Sequence, residues 1–243
     1  MDQFARIEQL LGPKALEKIK TARVAVFGLG AVGSFALEAL ARSGVGYLRL
    51  VDFDRVDASN INRQLLALHS TLGREKAILA RDRVLDINPD CRVEIFSAFV
   101  NAESLTELLT KDLDVVVDAI DGLNSKVNLI FGAREMGLEV VSSMGAAGRT
   151  EISMIRTGDI QDTSVCPLAR VVRRRLHRRG LYQGVTCVYS IEKPLNKQPF
   201  KEDDFSEALP DHGRSRPPLG SVSWVPGVFG LTLAGEVVKK ILK

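Results

Sequence analysis

Gly28-Leu29-Gly30-Ala31-Val32-Gly33 lies between an apolar run at residues 23–28 and a helix-periodic stretch that begins at Ala31. Glycines at this spacing permit a tight turn and let phosphate approach the backbone, while the helix start offers unpaired N–H groups to an anion. Asp52 closes a second apolar run 24 residues after Gly28, where a carboxylate can accept ribose hydroxyls. Such a turn can also serve helix–strand packing alone. Its strand–turn–helix context and the following acid favour nucleotide binding.

The next segment bears on which nucleotide. Asp54 and Asp57 are followed by Asn60-Ile61-Asn62-Arg63-Gln64, and Lys76 stands at the start of the next helical pattern. A nicotinamide enzyme has no evident need for cations and amides beside the adenosine ribose. A triphosphate does, because charge on its β and γ phosphates must be neutralised as the α phosphorus is attacked. Asp118 and Asp121 fall in Val115-Val116-Val117-Asp118-Ala119-Ile120-Asp121-Gly122, which delivers them to the carboxyl edge of a strand. Ligands of open α/β sheets bind at that edge. One carboxylate beside phosphate oxygens is a usual way to hold Mg²⁺, so Asp121 is the candidate metal ligand; helix capping is its competing role.

A third constellation is basic. Arg170, Arg173, Arg174, Arg175, Arg178 and Arg179 fall within ten residues of a helical pattern beginning near Pro167. A charge run usually marks a solvated face, but guanidinium groups fork onto phosphates, and a nucleic-acid backbone would use such a patch. The three cysteines, Cys91, Cys166 and Cys187, form no Cys-x-x-Cys pair, which argues against structural zinc and a disulfide framework. Cys91 and Cys187 read as small buried hydrophobes. Cys166 stands at a helix start where a thiolate is stabilised, and stays open to either reading.

The elements that must position these groups alternate. Strands are expected at residues 23–28, 47–53, 92–97, 113–119 and 138–144. Helices are expected over 31–43, from Gly73 to Asn88-Pro89, and before each of the last two strands. This is the rhythm of an α/β fold, a Rossmann-like, mostly parallel sheet with helices on both faces. Beyond Gly145 the rhythm breaks: strands are expected at 152–156 and 185–190, a long polar loop at 195–219, and an amphipathic helix at 230–243. With 243 residues, 45% hydrophobic and 26% charged, the chain suits one domain with a C-terminal extension completing it. Residues 21–145 would be the nucleotide-binding half and 146–243 the substrate-binding part. No apolar stretch suggests stable membrane insertion, and the amino terminus lacks the blocks of a secretory signal, so a cytoplasmic protein is expected. The net charge of +3 identifies no partner by itself.

The glycine turn, Asp52, Asn60-x-Asn62-Arg63-Gln64, Lys76 and Asp121, in this order, resemble the ubiquitin-activating-enzyme-like superfamily of ThiF-type adenylating enzymes. Four further segments resemble one of its branches, the tRNA threonylcarbamoyladenosine dehydratases. They are Phe4-Ala5-Arg6-Ile7-Glu8-Gln9-Leu10-Leu11-Gly12, Cys166-Pro167-Leu168-Ala169-Arg170, Val188-Tyr189-Ser190-Ile191-Glu192-Lys193-Pro194 and Leu219-Gly220-Ser221-Val222-Ser223. The resemblance implies ATP and Mg²⁺ as cofactors and a tRNA substrate. Gly28, Gly30 and Gly33 would hold phosphate, Asp52 the ribose, Arg63 and Lys76 the triphosphate charge, and Asp121 the metal. Asp54, Asn60, Asn62, Gln64 and Asp118 would complete the nucleotide site. Arg6 would reach into the partner's site of a homodimer. The alternative it implies is adenylation of the C-terminus of a ubiquitin-like sulfur carrier, and a sulfur-transfer protein partner stays open. Gly145-Ala146-Ala147-Gly148-Arg149-Thr150-Glu151-Ile152-Ser153 lacks the Asp-Pro-Thr expected by resemblance, which leaves this loop's role open.

Overall fold

The structure, a computed structural model, describes residues 3–195 and 219–243. The chain opens with two short helices, α1 (Ala5–Leu11) and α2 (Pro13–Thr21). It then alternates through β1 (Arg23–Phe27), α3 (Gly33–Arg42), β2 (Tyr47–Val51), α4 (Lys76–Ile87), β3 (Arg92–Phe96), α5 (Leu105–Leu108), β4 (Val115–Asp118), α6 (Leu123–Glu135) and β5 (Glu139–Ser143). The remainder supplies β6 (Ile155–Asp159), α7 (Pro167–His177), β7 (Thr186–Ser190) and α8 (Trp224–Leu242).

Among the described residues these strands form one seven-stranded sheet in the order β3-β2-β1-β4-β5-β7-β6. All pairings are parallel except that of β6 with β7. Alternate residues of β1 face opposite sides, and both sides are buried: Val24 and Val26 join one core cluster, Ala25 and Phe27 the other. Residues of α3, α4 and α8 cover the first side; residues of α5, α6 and α7 cover the second. That double cover is why β1 and β4 read as nearly unbroken apolar runs. The fold is thus the α/β, mostly parallel sheet expected from the pattern.

Register sets the site. Phe27 pairs with Val51 on one side and Asp118 on the other, and Asp118 pairs with Ser142. The glycine turn, Asp52 and the Asp118–Asp121 turn therefore leave the sheet at one carboxyl edge.

Three elements start three or more residues from the position expected from sequence. The strand expected at 152–156 begins at Ile155, because Ile152–Met154 forms a 3-10 turn after Glu151 accepts the Ser153 N–H at 2.9 Å. The helix expected from Gly73 begins at Lys76, since Gly73 has a φ of +76°. The last helix starts at Trp224 rather than Gly230. Pro226 is tolerated there because the first helical turn has no internal N–H bond to lose. Gly230 is a site of close approach: an added Cβ would lie 2.4 Å from the Val32 carbonyl oxygen of the segment entering α3. The interior of the expected loop at 195–219 lies outside the described residues. No helix among the described residues is long and apolar enough to cross a membrane.

Candidate nucleotide site at the carboxyl edge

The turn between β1 and α3 owes two of its glycines to packing. Gly28 has a φ of +86°, and a Cβ there would meet the Ala119 oxygen at 2.7 Å. A Cβ at Gly33 would lie 1.7 Å from the Gly28 oxygen, which no side-chain motion could relieve. Gly30 differs: its Cβ would meet only the Gln64 side chain, at 3.7 Å. The fold does not require glycine at this position, and the space is what a phosphate approaching the backbone would use. Gly33→Ala is accordingly expected to disrupt folding. Gly30→Ala should leave the urea midpoint near wild type, within about 0.5 kcal/mol, while weakening ATP binding measured by calorimetry. Unchanged ATP affinity in Gly30→Ala would count against this use of the space.

Asp52 sits directly under the turn. Its Oδ2 accepts the Leu29 N–H at 2.6 Å and its Oδ1 accepts the Asp54 N–H at 2.8 Å. Burial raises its pKa from the ordinary value, against the opposing pull of Lys76 and the two N–H groups. Lys76 is 4% exposed and donates to Asp54 Oδ2 at 2.8 Å. Buried beside the carboxylates of Asp52 and Asp54, this ammonium has its charge compensated within the structure.

The loop between them is shaped by its own polar side chains. Asp57 and Asn60 form a reciprocal cap on the turn Ala58–Asn60. Arg63 Nη1 donates to the Ser59 oxygen at 2.7 Å and to Asn62 Oδ1 at 2.9 Å. Asn62 in turn donates to the Ser221 carbonyl at 3.1 Å, so a segment 159 residues away closes on the loop. Gln64 Oε1 is buried without a hydrogen-bond partner, beside Gly30. An unsatisfied buried acceptor at this place fits a site that a ligand completes.

The second acidic pair splits. Asp121 is exposed at the start of the turn into α6. Asp118 is 0% exposed and ion-paired with Lys126, also 0% exposed, at 2.6 Å. Ser142 Oγ donates to the same carboxylate, the Ile120 N–H donates to its other oxygen at 3.1 Å, and Lys126 Nζ donates to the Ser143 carbonyl at 2.9 Å. Fully enclosed, Asp118 offers no surface to a nucleotide; it shapes the turn that carries Asp121. Sequence reasoning missed Lys126, although a lysine on the apolar side of α6 was a visible signal. Among the described residues no group of three or more His, Cys, Asp or Glu could hold a metal. Asp121 alone suits Mg²⁺, which takes one or two carboxylates together with substrate phosphates and water.

The Gly145–Ser153 loop, left open by sequence, is an anchored corner. Arg149 is 3% exposed and donates to the carbonyls of Gly145 at 2.6 Å, Ala147 at 3.1 Å and Glu192 at 3.3 Å. The Glu192 carboxylate accepts the N–H groups of Thr150 and Glu151, and Trp224 Nε1 donates to the Thr150 carbonyl at 2.9 Å.

The remaining expected residues lie outside this cluster. Arg6 is exposed on α1, a helix with no buried residue. Arg170, Arg173, Arg174 and Arg178 line one groove beside α7. Arg175 instead donates to Asn124 Oδ1, and Arg179 lies over the Phe131 ring at 5.4 Å. All three cysteines are buried as free thiols. Burial pushes the Cys91 thiol up to about 12 and raises that of Cys187 well above its ordinary value.

Known proteins resemble this chain along nearly its whole length. The ThiF family matches residues 4–243. The chain is 41% identical over 246 residues to the tRNA threonylcarbamoyladenosine dehydratase of Bacillus subtilis strain 168, covering 100% of this chain and 96% of that protein. It superposes on the Escherichia coli tRNA N6-threonylcarbamoyladenosine dehydratase in complex with AMP with a TM-score of 0.86 at 32% identity, covering 99% of this chain and 94% of that one. The same enzyme in complex with ATP gives a TM-score of 0.85 at 32% identity, covering 99% and 93%. With a glycine turn over an acid at the carboxyl edge and a match along nearly its whole length, this chain belongs to the ThiF family.

Proposed function

We propose that this chain is an ATP-dependent tRNA threonylcarbamoyladenosine dehydratase, which adenylates the carboxylate of that nucleoside and drives its cyclising dehydration. The observation that carries the reading is the full-length likeness to the Bacillus subtilis dehydratase, 100% of this chain against 96% of that protein. It is supported by the space at Gly30 above Asp52.

The chemistry follows from what a carboxylate cannot do unaided. It is a poor electrophile, because an oxide would have to leave. Attack of one carboxylate oxygen on the α phosphorus of ATP breaks the bond to the β phosphate and expels pyrophosphate. The product is a mixed anhydride in which AMP is a good leaving group. A nucleophile of the same nucleoside then closes a ring on the carbonyl as the bond to AMP breaks. Closure within one molecule reaches effective molarities on the order of 10⁵–10⁸ M when the groups are aligned. The nucleoside loses the elements of one water, and the oxygen departs with AMP.

In this reading Gly28, Gly30 and Gly33 shape the phosphate turn and Asp52 takes the ribose. Lys76 and Arg63 neutralise charge building on pyrophosphate, with Asp54, Asn60, Asn62 and Gln64 framing them. Asp121 would hold Mg²⁺, which as a Lewis acid stabilises phosphate charge. Asp118 acts through the turn it supports. Residues 21–145 carry the nucleotide and 146–243 the RNA side, within one domain. Arg6 serves the partner's site of a homodimer, and the 82% exposure of Leu10 on the same helix supports a covered surface there. The buried thiols give little support to sulfur relay. A tRNA substrate accords with the cytoplasmic expectation.

The test is turnover with ATP, Mg²⁺ and tRNA carrying threonylcarbamoyladenosine, read by nucleoside mass spectrometry and AMP formation. Loss of one water from the nucleoside with AMP released is the expected outcome. ATP–pyrophosphate exchange that appears only with a carrier protein ending in Gly-Gly, the tRNA unchanged, would instead establish sulfur-carrier adenylation.

A further inference from the structure

The groove beside α7 holds an aromatic side chain as well as charge. Arg170, Arg173, Arg174, His177 and Arg178 line it together with Tyr182. Tyr182 follows Gly180, whose φ of +83° turns the chain back after the helix. The Leu181 N–H donates to the Leu176 carbonyl at 3.1 Å, and its side chain packs on the core. Gly184, with a φ of +90°, donates its N–H to Asp159 Oδ2 at 2.6 Å. Anchored on both flanks, Tyr182 stays 60% exposed, with its ring 5.1 Å from the His177 imidazole. His177 Nε2 is buried without a hydrogen-bond partner, and its ring lies tilted at 43° to that of Tyr182. Core packing gives no reason for an aromatic residue at this position.

Guanidinium groups read phosphate and are indifferent to whether the bases are paired. Arg173 is moreover occupied, donating to Thr163 Oγ1 at 2.7 Å and to the Thr163 carbonyl at 2.6 Å. Arg170, Arg174 and Arg178 are the exposed members. Unpaired bases are recognised chiefly by stacking on aromatic side chains beside a basic track. We propose that Tyr182, backed by His177, is a stacking platform for an unpaired nucleobase of the RNA whose backbone these arginines hold. The proposal rests on the tRNA reading and deepens it, selecting a single-stranded loop over a duplex stem. Its placement is coherent with the chemistry: Arg175, on the same helix, donates to Asn124 Oδ1, three residues beyond Asp121.

The experiment uses the full chain and two probes, an RNA hairpin with a loop containing 2-aminopurine and a blunt duplex of the same stem. Tyr182→Leu should weaken hairpin binding by about 5- to 150-fold, the range measured for one base–aromatic stack, with the salt slope unchanged. Tyr182→Trp should bind as the wild type and quench the 2-aminopurine. Duplex affinity should be the same for all three proteins, and ATP affinity should confirm that each is folded. Replacing Arg170, Arg174 and Arg178 by glutamine should instead flatten the salt slope, by roughly 0.7 for each phosphate no longer neutralised. Hairpin affinity of Tyr182→Leu equal to wild type, an equal loss in Tyr182→Trp, or an equal loss on the duplex would overturn the platform alone. Wild-type protein that binds neither hairpin nor tRNA would overturn the tRNA reading with it.

Discussion

Asp121→Ala lowers turnover by roughly 10²–10³-fold, the loss that follows when one group stabilising transition-state charge is removed. ATP binding measured in EDTA stays at the wild-type level, because the glycine turn, Asp52 and Lys76 are untouched. The expectation follows from the division of labour in the second acidic pair. Asp118 is enclosed and ion-paired, whereas Asp121 is exposed at the carboxyl edge where phosphate would lie. AMP formation against Mg²⁺ concentration is the measurement. A variant with wild-type turnover and Mg²⁺ dependence would remove Asp121 from the metal-holding role. A variant that also loses ATP binding in EDTA would point to a structural part for this residue instead.

Lys126→Met destabilises the fold by about 3–5 kcal/mol, because it leaves the Asp118 carboxylate buried without its counter-charge. That is a large share of the roughly 5–15 kcal/mol that holds a typical domain together. Neither partner has exposed surface, so water cannot take the place of the missing ammonium. Ser142 and the Ile120 N–H would remain as donors, which neutralise no charge. The double variant Asp118→Asn with Lys126→Met removes both charges and should recover much of the loss in urea unfolding. If Lys126→Met unfolds at the wild-type midpoint, the ion pair is not what holds this corner. Recovery of stability without recovery of turnover would show that the pair also positions the turn bearing Asp121.

These two predictions separate what local sequence conveys from what it does not. The glycine turn over Asp52 was legible because it is contiguous: glycines, strand and helix start occupy one short segment, with the acid at the end of the next strand. The doubly covered sheet was legible because burial on both faces leaves β1 and β4 apolar except for one residue at an end. Boundaries were less so. The 3-10 turn at Ile152–Met154 depends on a side chain capping a backbone N–H, and α8 starts at Trp224 after a Ser223 whose side chain makes no capping hydrogen bond.

The sequence by itself determined the fold class, the glycine turn lying over Asp52, and the presence of a basic helix. Each rests on interactions between neighbours in the chain or on a repeating pattern of burial. Only the tertiary structure decided which carboxylate of the Asp118–Asp121 pair is enclosed. The Lys126 counter-charge lies eight residues on and Ser142 on another strand. It likewise decided that Arg173 is engaged by Thr163 and Arg175 by Asn124, leaving three arginines exposed beside Tyr182. A residue type states what a side chain can bind. Whether it is already bound depends on partners that folding brings from elsewhere in the chain.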